Sequence, residues 1–96
     1  MTATIIDGKA IAAEVREEVA ERVQKLAARG VTPGFVDLLV GDDPASATYV
    51  RMKNKAATEA GMRAFEHDLL ANASLDQALE LIDRFNADES IHGAMV

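Results

Sequence analysis

The first third of the chain predicts one long amphipathic helix. Within residues 9–29, apolar side chains recur at intervals of four and three, which places them on one helical face. The members of this stripe are Ile11, Val15, Val19, Val23 and Leu26. Gly30 follows, where glycine easily adopts the left-handed backbone that ends a helix. Ahead of the helix, the pattern predicts a short strand at Thr4-Ile5-Ile6 and a turn at Asp7-Gly8.

Two further helices are predicted mainly from their boundaries. One covers about residues 46–60, with Asp43 or Ser46 as its amino-terminal cap. The other starts after Ser74 and runs to about residue 87, because Gln77 stands three residues after Ser74 and completes a capping box. Its apolar stripe consists of Leu75, Leu79, Ile82 and Phe85.

Three apolar or alternating runs between the helices predict strands. Residues 35–40 and 91–96 are almost continuously apolar, which is typical of strands covered on both faces, and residues 63–69 alternate. Helices and strands therefore alternate along the chain, which favours an α/β fold with a parallel sheet and right-handed crossovers. No boundary or linker divides the sequence, so we expect residues 1–96 to form a single domain.

Composition narrows the class of protein. The chain has 96 residues, no cysteine and a formal net charge of −6. Disulfides and thiolate chemistry are therefore excluded, and the negative charge disfavours nucleic acid as a partner. The sequence has neither the apolar run of a signal peptide nor that of a membrane span, so we expect a cytoplasmic protein with no membrane partner.

The second predicted helix carries the most suggestive pair of residues. Tyr49 and Lys53 are four positions apart and therefore share a helical face, with alanines at 56, 57 and 60 on the same side. The helix follows a buried strand, and ligands bind at that end of the strands in open α/β sheets. A lone Tyr-x-x-x-Lys pair is a weak signal, because most helical lysines only extend over apolar surface into water.

The longer pattern around this pair is far more specific. Val-Gly-x-x-x-x-Ser-x-x-Tyr-Val-x-x-Lys-x-Lys-Ala resembles the signature of the methylenetetrahydrofolate dehydrogenase–cyclohydrolase family. It is carried by Val40, Gly41, Ser46, Tyr49, Val50, Lys53, Lys55 and Ala56. The opening Ile5-Ile6-Asp7-Gly8-Lys9 and the closing Ile91-His92-Gly93-Ala94-Met95-Val96 also resemble this family, so the resemblance covers essentially the whole chain.

The resemblance implies a site and a chemistry. The family oxidises 5,10-methylenetetrahydrofolate with NAD or NADP and hydrolyses 5,10-methenyltetrahydrofolate to 10-formyltetrahydrofolate. By resemblance, Lys53 is the catalytic residue, and Tyr49 and Ser46 bind the folate. Lys53 would assist the removal of a proton from water, which requires a neutral amine, and apolar neighbours such as the alanines would favour that form.

The family's site also implies how the sheet is arranged. Residues that follow the first and third predicted strands meet at one site in the family, so these two strands should be neighbours. The expected spatial order is 2-1-3, in a three-layer fold with helices on both faces of the sheet. The third strand, at residues 91–96, would then be an apolar sheet edge, and we expect the chain to self-associate through it or the adjoining helix faces.

Parts of the family pattern are missing from the sequence. A glutamine in a Gln-Leu-Pro-like loop and a later aspartate would lie beyond Val96, and no Gly-x-Gly-x-x-Gly fingerprint occurs. We therefore expect a truncated amino-terminal domain without the nucleotide-binding domain. Such a fragment would bind neither NAD nor NADP and would be inactive as a dehydrogenase, so no residue is assigned to cofactor binding.

Two other classes of protein are compatible with the sequence. A short-chain dehydrogenase also uses Tyr-x-x-x-Lys, but Gly41-Asp42-Asp43-Pro44 is not its glycine-rich turn. A non-catalytic α/β scaffold, natural or engineered, would preserve the fold without activity. No metal site is assigned, because His67 and His92 are more typical of hydrogen-bonded strand residues. Asp42 and Asp43 are interpreted as capping residues, and methionines 52, 62 and 95 as core residues.

Overall fold

The computed structural model describes residues 2–96, and these form alternating helices and strands. The elements are α1 (Gly8–Ala28), β1 (Gly34–Val40), α2 (Pro44–Glu59), β2 (Arg63–Leu69), α3 (Leu75–Ala87) and β3 (Gly93–Met95). The three strands form one parallel sheet in the order β2-β1-β3. The predicted fold class and strand order are therefore confirmed.

The central strand β1 separates two helical layers because its side chains alternate between the faces of the sheet. Val36 and Leu38 are buried on one face, where they pack with Phe85 of α3. Phe35 and Asp37 point to the opposite face, which is covered by α2 and part of α1. Helices on both faces complete the predicted three-layer arrangement.

Helix α1 begins one residue earlier than the sequence indicated. Asp7 is its cap, and the Asp7 carboxylate accepts a hydrogen bond from the Ala10 N–H at 3.2 Å. Gly8 is therefore the first helical residue, so the predicted Asp7-Gly8 turn is wrong. At the other end, Gly30 has a φ of 80°, which is the left-handed backbone expected there.

Only the second half of α1 packs closely. Val23 is buried against the turn at Gly61, where a Cβ atom would lie 3.1 Å from Val23 Cγ1. Ile11 and Val15, from the same predicted stripe, remain 50% and 52% exposed. The apolar face of the first half of α1 is therefore open to solvent.

None of the helices within the described residues has the length and apolar character that a membrane span requires.

The caps of α2 and α3 follow from side-chain chemistry. Asp43, one of the two predicted caps, accepts hydrogen bonds from the N–H groups of Ala45 and Ser46, so α2 starts at Pro44. The predicted capping box of α3 is confirmed, because Ser74 and Gln77 exchange reciprocal side-chain to backbone hydrogen bonds.

Two predicted strands differ in the structure. Thr4-Ile5-Ile6 forms no strand, and Ile5 and Ile6 are exposed, because β-forming residues need a neighbouring strand and an apolar surface to cover them. The third strand covers Gly93–Met95 rather than residues 91–96. In its register with β1, Ile91 would stand opposite Pro33, which has no N–H for a sheet hydrogen bond.

His92 joins β3 to the start of β1. Its backbone N–H donates to the Gly34 carbonyl at 2.7 Å, and its Nδ1 accepts from the Gly34 N–H at 3.0 Å. A side chain on Gly34 would collide with the carbonyl oxygen of Ser90. This close approach fixes the position of β3, whose last residue contributes to the candidate site.

Candidate active site

A cleft lies beside the ends of β1 and β3. It has a volume of about 370 Å³ and is open to solvent. Helix α2 contributes Ser46 and Tyr49 to its wall, and β3 and the residue after it contribute Met95 and Val96. Two of the three residues implicated by the sequence therefore share one cleft, at the edge of the sheet where open α/β folds bind ligands.

Lys53 lies one helical turn beyond Tyr49 on α2 and lines the adjoining groove with it. This groove has a volume of about 540 Å³. The Tyr49 side chain is 56% exposed, so its ring is free to contact a ligand. The structure thus brings Ser46, Tyr49 and Lys53 together along one side of α2.

Three groups surround the amine of Lys53. Its Nζ forms an ion pair with Asp37 Oδ1, lies 3.6 Å from Met95 Sδ and is 4.6 Å from the centroid of the Phe35 ring. The ring contact has cation–π geometry. Because Met95 is in β3 and the other two residues are in β1, the amine lies over the junction of these neighbouring strands.

The sequence predicted Lys53 at the edge of an apolar face beside alanines, and it did not predict a carboxylate at the amine. Ala56 and Ala57 do line an apolar hollow with Lys53, but the amine itself contacts a carboxylate. Asp37 was missed because it sits within an otherwise apolar strand. The signal was present in the sequence, since a charged residue inside a buried strand requires a partner.

The two histidines contact protein groups in the structure. The His67 ring lies against Phe85 with 5.1 Å between ring centroids, and His92 is bonded to Gly34. In the part of the chain that the structure describes, no three metal-ligating side chains cluster together. Met52 and Met95 are exposed rather than core residues, which corrects the prediction from the sequence.

The amino terminus of α2 does not fit a nucleotide pyrophosphate. The backbone N–H groups of Ala45 and Ser46 are occupied by the Asp43 carboxylate, and Asp42 adds a second negative charge beside it. A pyrophosphate at a helix start requires free N–H groups and close backbone approach. The turn before α2, residues 41–44, contains a single glycine, Gly41, and so lacks the glycine-rich backbone that allows this approach.

Comparison with known proteins identifies relatives along the whole chain. The model of the tetrahydrofolate dehydrogenase/cyclohydrolase catalytic domain matches residues 6–96. The bifunctional protein FolD 1/3 of Ruegeria pomeroyi is 53% identical over all of this chain and 33% of its own length. FolD of Geotalea daltonii is 51% identical over 98% of this chain and 34% of its own length. The chain therefore spans about a third of the length of the curated relatives it matches.

Solved structures agree with these relatives. The bifunctional FolD enzyme of Campylobacter jejuni superposes with a TM-score of 0.93 at 41% identity, over 97% of this chain and 33% of that protein. The Trypanosoma brucei enzyme, complexed with NADP cofactor and inhibitor, superposes with a TM-score of 0.90 at 35% identity, over 100% of this chain and 34% of that protein.

The parallel sheet and its two helical layers define an α/β domain with a cleft beside the ends of β1 and β3, the position where open α/β folds bind ligands. The chain belongs to the tetrahydrofolate dehydrogenase/cyclohydrolase family and matches its amino-terminal catalytic domain. This identification also removes the short-chain dehydrogenase alternative.

Proposed function

We propose that this chain is the folate-binding catalytic part of a cytoplasmic enzyme that oxidises 5,10-methylenetetrahydrofolate with NAD or NADP. The same site would hydrolyse 5,10-methenyltetrahydrofolate to 10-formyltetrahydrofolate. The observation that carries this proposal is the convergence of Ser46, Tyr49 and Lys53 on one side of α2, beside the ends of β1 and β3. Membership of the family supports the choice of substrate.

Tyr49 is proposed to hold the folate. Its exposed ring offers a flat apolar surface to an aromatic ligand, and Ser46 lines the same cleft with a hydroxyl group. Hydride transfer depends mainly on holding the methylene carbon in a fixed orientation, so a stacking side chain contributes by positioning.

Lys53 is proposed to act on the hydrolytic step. Water adds its oxygen to the methenyl carbon, the bond from that carbon to N5 breaks, N5 gains one proton and a second proton is released. The amine becomes able to accept the released proton once it has passed its own proton to the paired Asp37 carboxylate. The Nζ lies where β1 and β3 meet, which is beside the cleft that Tyr49 and Ser46 line.

The nucleotide is proposed to bind outside residues 1–96. The capped start of α2 supports this, because Asp43 occupies the N–H groups that would otherwise receive a phosphate. The 96-residue chain alone should therefore show no hydride transfer to NAD or NADP. Reduction of either nucleotide by the purified chain with methylenetetrahydrofolate would contradict this.

We also infer the chain's partners. The proposed ligand is a small-molecule folate, and the net charge of −6 supports the inference that nucleic acid is not a partner. We also propose that the chain does not bind a membrane. Exposed apolar side chains on α1 support self-association.

Folate binding can be tested directly on this chain. Titration with 5-formyltetrahydrofolate, followed by NMR, should shift the backbone signals of Ser46 and Tyr49. Tyr49→Ala should weaken binding about tenfold, as expected for the loss of an aromatic contact. Leu75→Ala, an exposed residue on α3, is the matched control and should leave binding unchanged. A chain that shows no shifts at millimolar folate would instead be a non-catalytic scaffold.

The catalytic role of Lys53 requires the rest of the enzyme. The chain can be joined to the remaining two-thirds of the Ruegeria pomeroyi relative, and cyclohydrolase turnover measured by the loss of methenyltetrahydrofolate absorbance. Lys53→Met should abolish turnover, and so should Lys53→Met/Asp37→Val, which leaves no unpaired buried carboxylate. Lys25→Met, on the far end of α1, should retain turnover. Activity in a folded Lys53 variant would refute the assignment.

A further inference from the structure

Asp37 is a buried charge in the middle of the central strand. It is 2% exposed, and its neighbours along the strand, Val36 and Leu38, belong to the hydrophobic core. An aliphatic side chain would suit this position better, because a buried carboxylate loses its hydration. The reason for an aspartate here must therefore lie in what its carboxylate contacts.

The carboxylate contacts Lys53. Within residues 2–96, the Lys53 amine is the one side-chain donor to Asp37, since Oδ2 has no hydrogen-bond partner. Asp37 caps no helix and bridges no backbone groups there. The neighbouring charged residues, Arg16 of α1 and Glu66 of β2, form no ion pair with either partner in the described chain.

The contact restricts a flexible side chain. Lysine has four rotatable side-chain bonds and normally samples many orientations in water. Here the Asp37 carboxylate, the Phe35 ring and the Met95 sulfur approach the same Nζ atom from the sheet. The ion pair supplies the strongest of these attractions, because it joins full charges in a largely buried position.

We propose that Asp37 is a positioning residue for Lys53. It fixes the amine over the junction of β1 and β3, beside the cleft, and so presents the amine to a bound folate in one orientation. This inference rests on the proposed function only in taking a folate as the ligand. Asp37 itself acts through Lys53, and the position of the amine can be measured without any ligand.

The first test observes the amine directly. The ¹⁵N signals of the lysine side chains are recorded for the 96-residue chain and for Asp37→Asn and Asp37→Val. Lys53 should give a separate, slowly exchanging signal in the unaltered chain and should join Lys25 and Lys55 in both variants. Asp37→Val keeps an apolar strand residue, so it provides a folded comparison if Asp37→Asn is unstable. A Lys53 signal that is unchanged in a folded variant would overturn the proposal.

The second test measures affinity for 5-formyltetrahydrofolate. Asp37→Val should raise the dissociation constant about two- to tenfold, the range expected when one long side chain must be ordered on binding. In a Lys53→Met background, Asp37→Val should cause no further loss, because there is no amine left to position. A further loss of the same size would overturn the proposal by showing that Asp37 acts on the ligand independently. Absence of binding by the unaltered chain would refute the proposed function, while the ¹⁵N signals would still decide the role of Asp37.

Discussion

At the scale of single residues, Lys53 and Asp37 depend on each other for stability as well as for orientation. Lys53→Met would leave the Asp37 carboxylate buried without a partner, and breaking such a pair costs about 3–5 kcal/mol. Because Lys53 is 22% exposed and water can reach it, we expect a loss of about 3 kcal/mol, the low end of that range. Urea denaturation measures this loss.

The double variant separates a lost ion pair from a lost packing contact. Lys53→Met/Asp37→Val removes both charges from the buried site and should recover most of the stability. Lys25→Met, at an exposed helix end, should change stability by less than about 0.5 kcal/mol. If the double variant were as unstable as Lys53→Met alone, the unpaired carboxylate would not be the cause.

The common position of Tyr49 and Lys53 on one face of α2 could be predicted from sequence, but the surroundings of Lys53 could not. The Tyr49 to Lys53 spacing places both side chains on one face of α2, as helical geometry requires. The contact with Asp37 depends on how α2 crosses β1, which no local pattern contains. A packed sheet was needed to bring residues 37 and 53 together.

At the scale of secondary-structure elements, the start of α2 depends on one carboxylate. Asp43→Ala would leave the N–H groups of Ala45 and Ser46 without their acceptor and should destabilise the domain by about 1 kcal/mol. Asp42→Ala is the matched control, because the Asp42 side chain makes no hydrogen bond within residues 2–96. Thermal denaturation of both variants measures the difference, and equal losses would argue against the capping role.

A second prediction concerns the end of α3. The Ser90 hydroxyl and backbone N–H donate to the Asp88 carboxylate at 2.6 Å and 2.9 Å, and these hydrogen bonds hold the pKa of Asp88 below its usual range. A carboxyl group whose pKa is lower in the folded state stabilises the fold above its unfolded-state pKa. That contribution is lost as the pH falls through the folded-state pKa.

Removal of the hydroxyl should reverse part of this shift. In Ser90→Ala, the pKa of Asp88 should rise toward its ordinary value, and an NMR titration of the Asp88 carboxyl carbon measures the change. Thr58→Ala removes a hydroxyl that bonds to Asn54 on α2, so it should leave the Asp88 titration unaltered. An unchanged Asp88 titration in Ser90→Ala would contradict the assigned cause.

Elements with their own stop and start signals were predictable. The capping box at Ser74 and the glycine at residue 30 act through local hydrogen bonds and backbone geometry, so both were correct. The strand at Thr4-Ile5-Ile6 was wrong, because strand formation requires a partner that the local sequence does not specify. The third strand was predicted too long, since Ile91, the first residue of the predicted range, stands opposite Pro33.

At the scale of the whole molecule, the chain is extended for its length. Its radius of gyration is 16.6 Å, against about 12–13 Å for a compact domain of this size. The strand order was predictable from the family resemblance, because residues after the first and third strands meet at one site in that family. The apolar stripe of α1 predicted that one face of this helix is buried, but it did not indicate which residues bury it. Within residues 2–96, the first half of that face stays exposed.

This open surface predicts self-association. Ile11 and Val15 on α1 are about half exposed, and covering an aliphatic side chain fully is worth about 1.5–3 kcal/mol. The edge strand β3 is three residues long and exposed along its length, so it also presents unpaired backbone groups. Strand β2 carries several charged residues and is a poorer partner. We therefore expect copies of the chain to associate through α1, β3 or both.

The association state can be measured by sedimentation of the chain at roughly 10–100 micromolar, the range where exposed apolar surfaces commonly associate. The unaltered chain should sediment as a dimer or larger species. Ile11→Glu/Val15→Glu places two charges on the open face of α1 and should shift the chain toward monomer if α1 forms the contact. Val96→Lys, beside β3, tests the sheet edge in the same way. Leu75→Glu, which adds a charge at an exposed position on α3, is the control and should leave the species unchanged. A single monomeric species of the unaltered chain over this range would refute self-association, because neither the open face of α1 nor the edge of β3 would then need a partner.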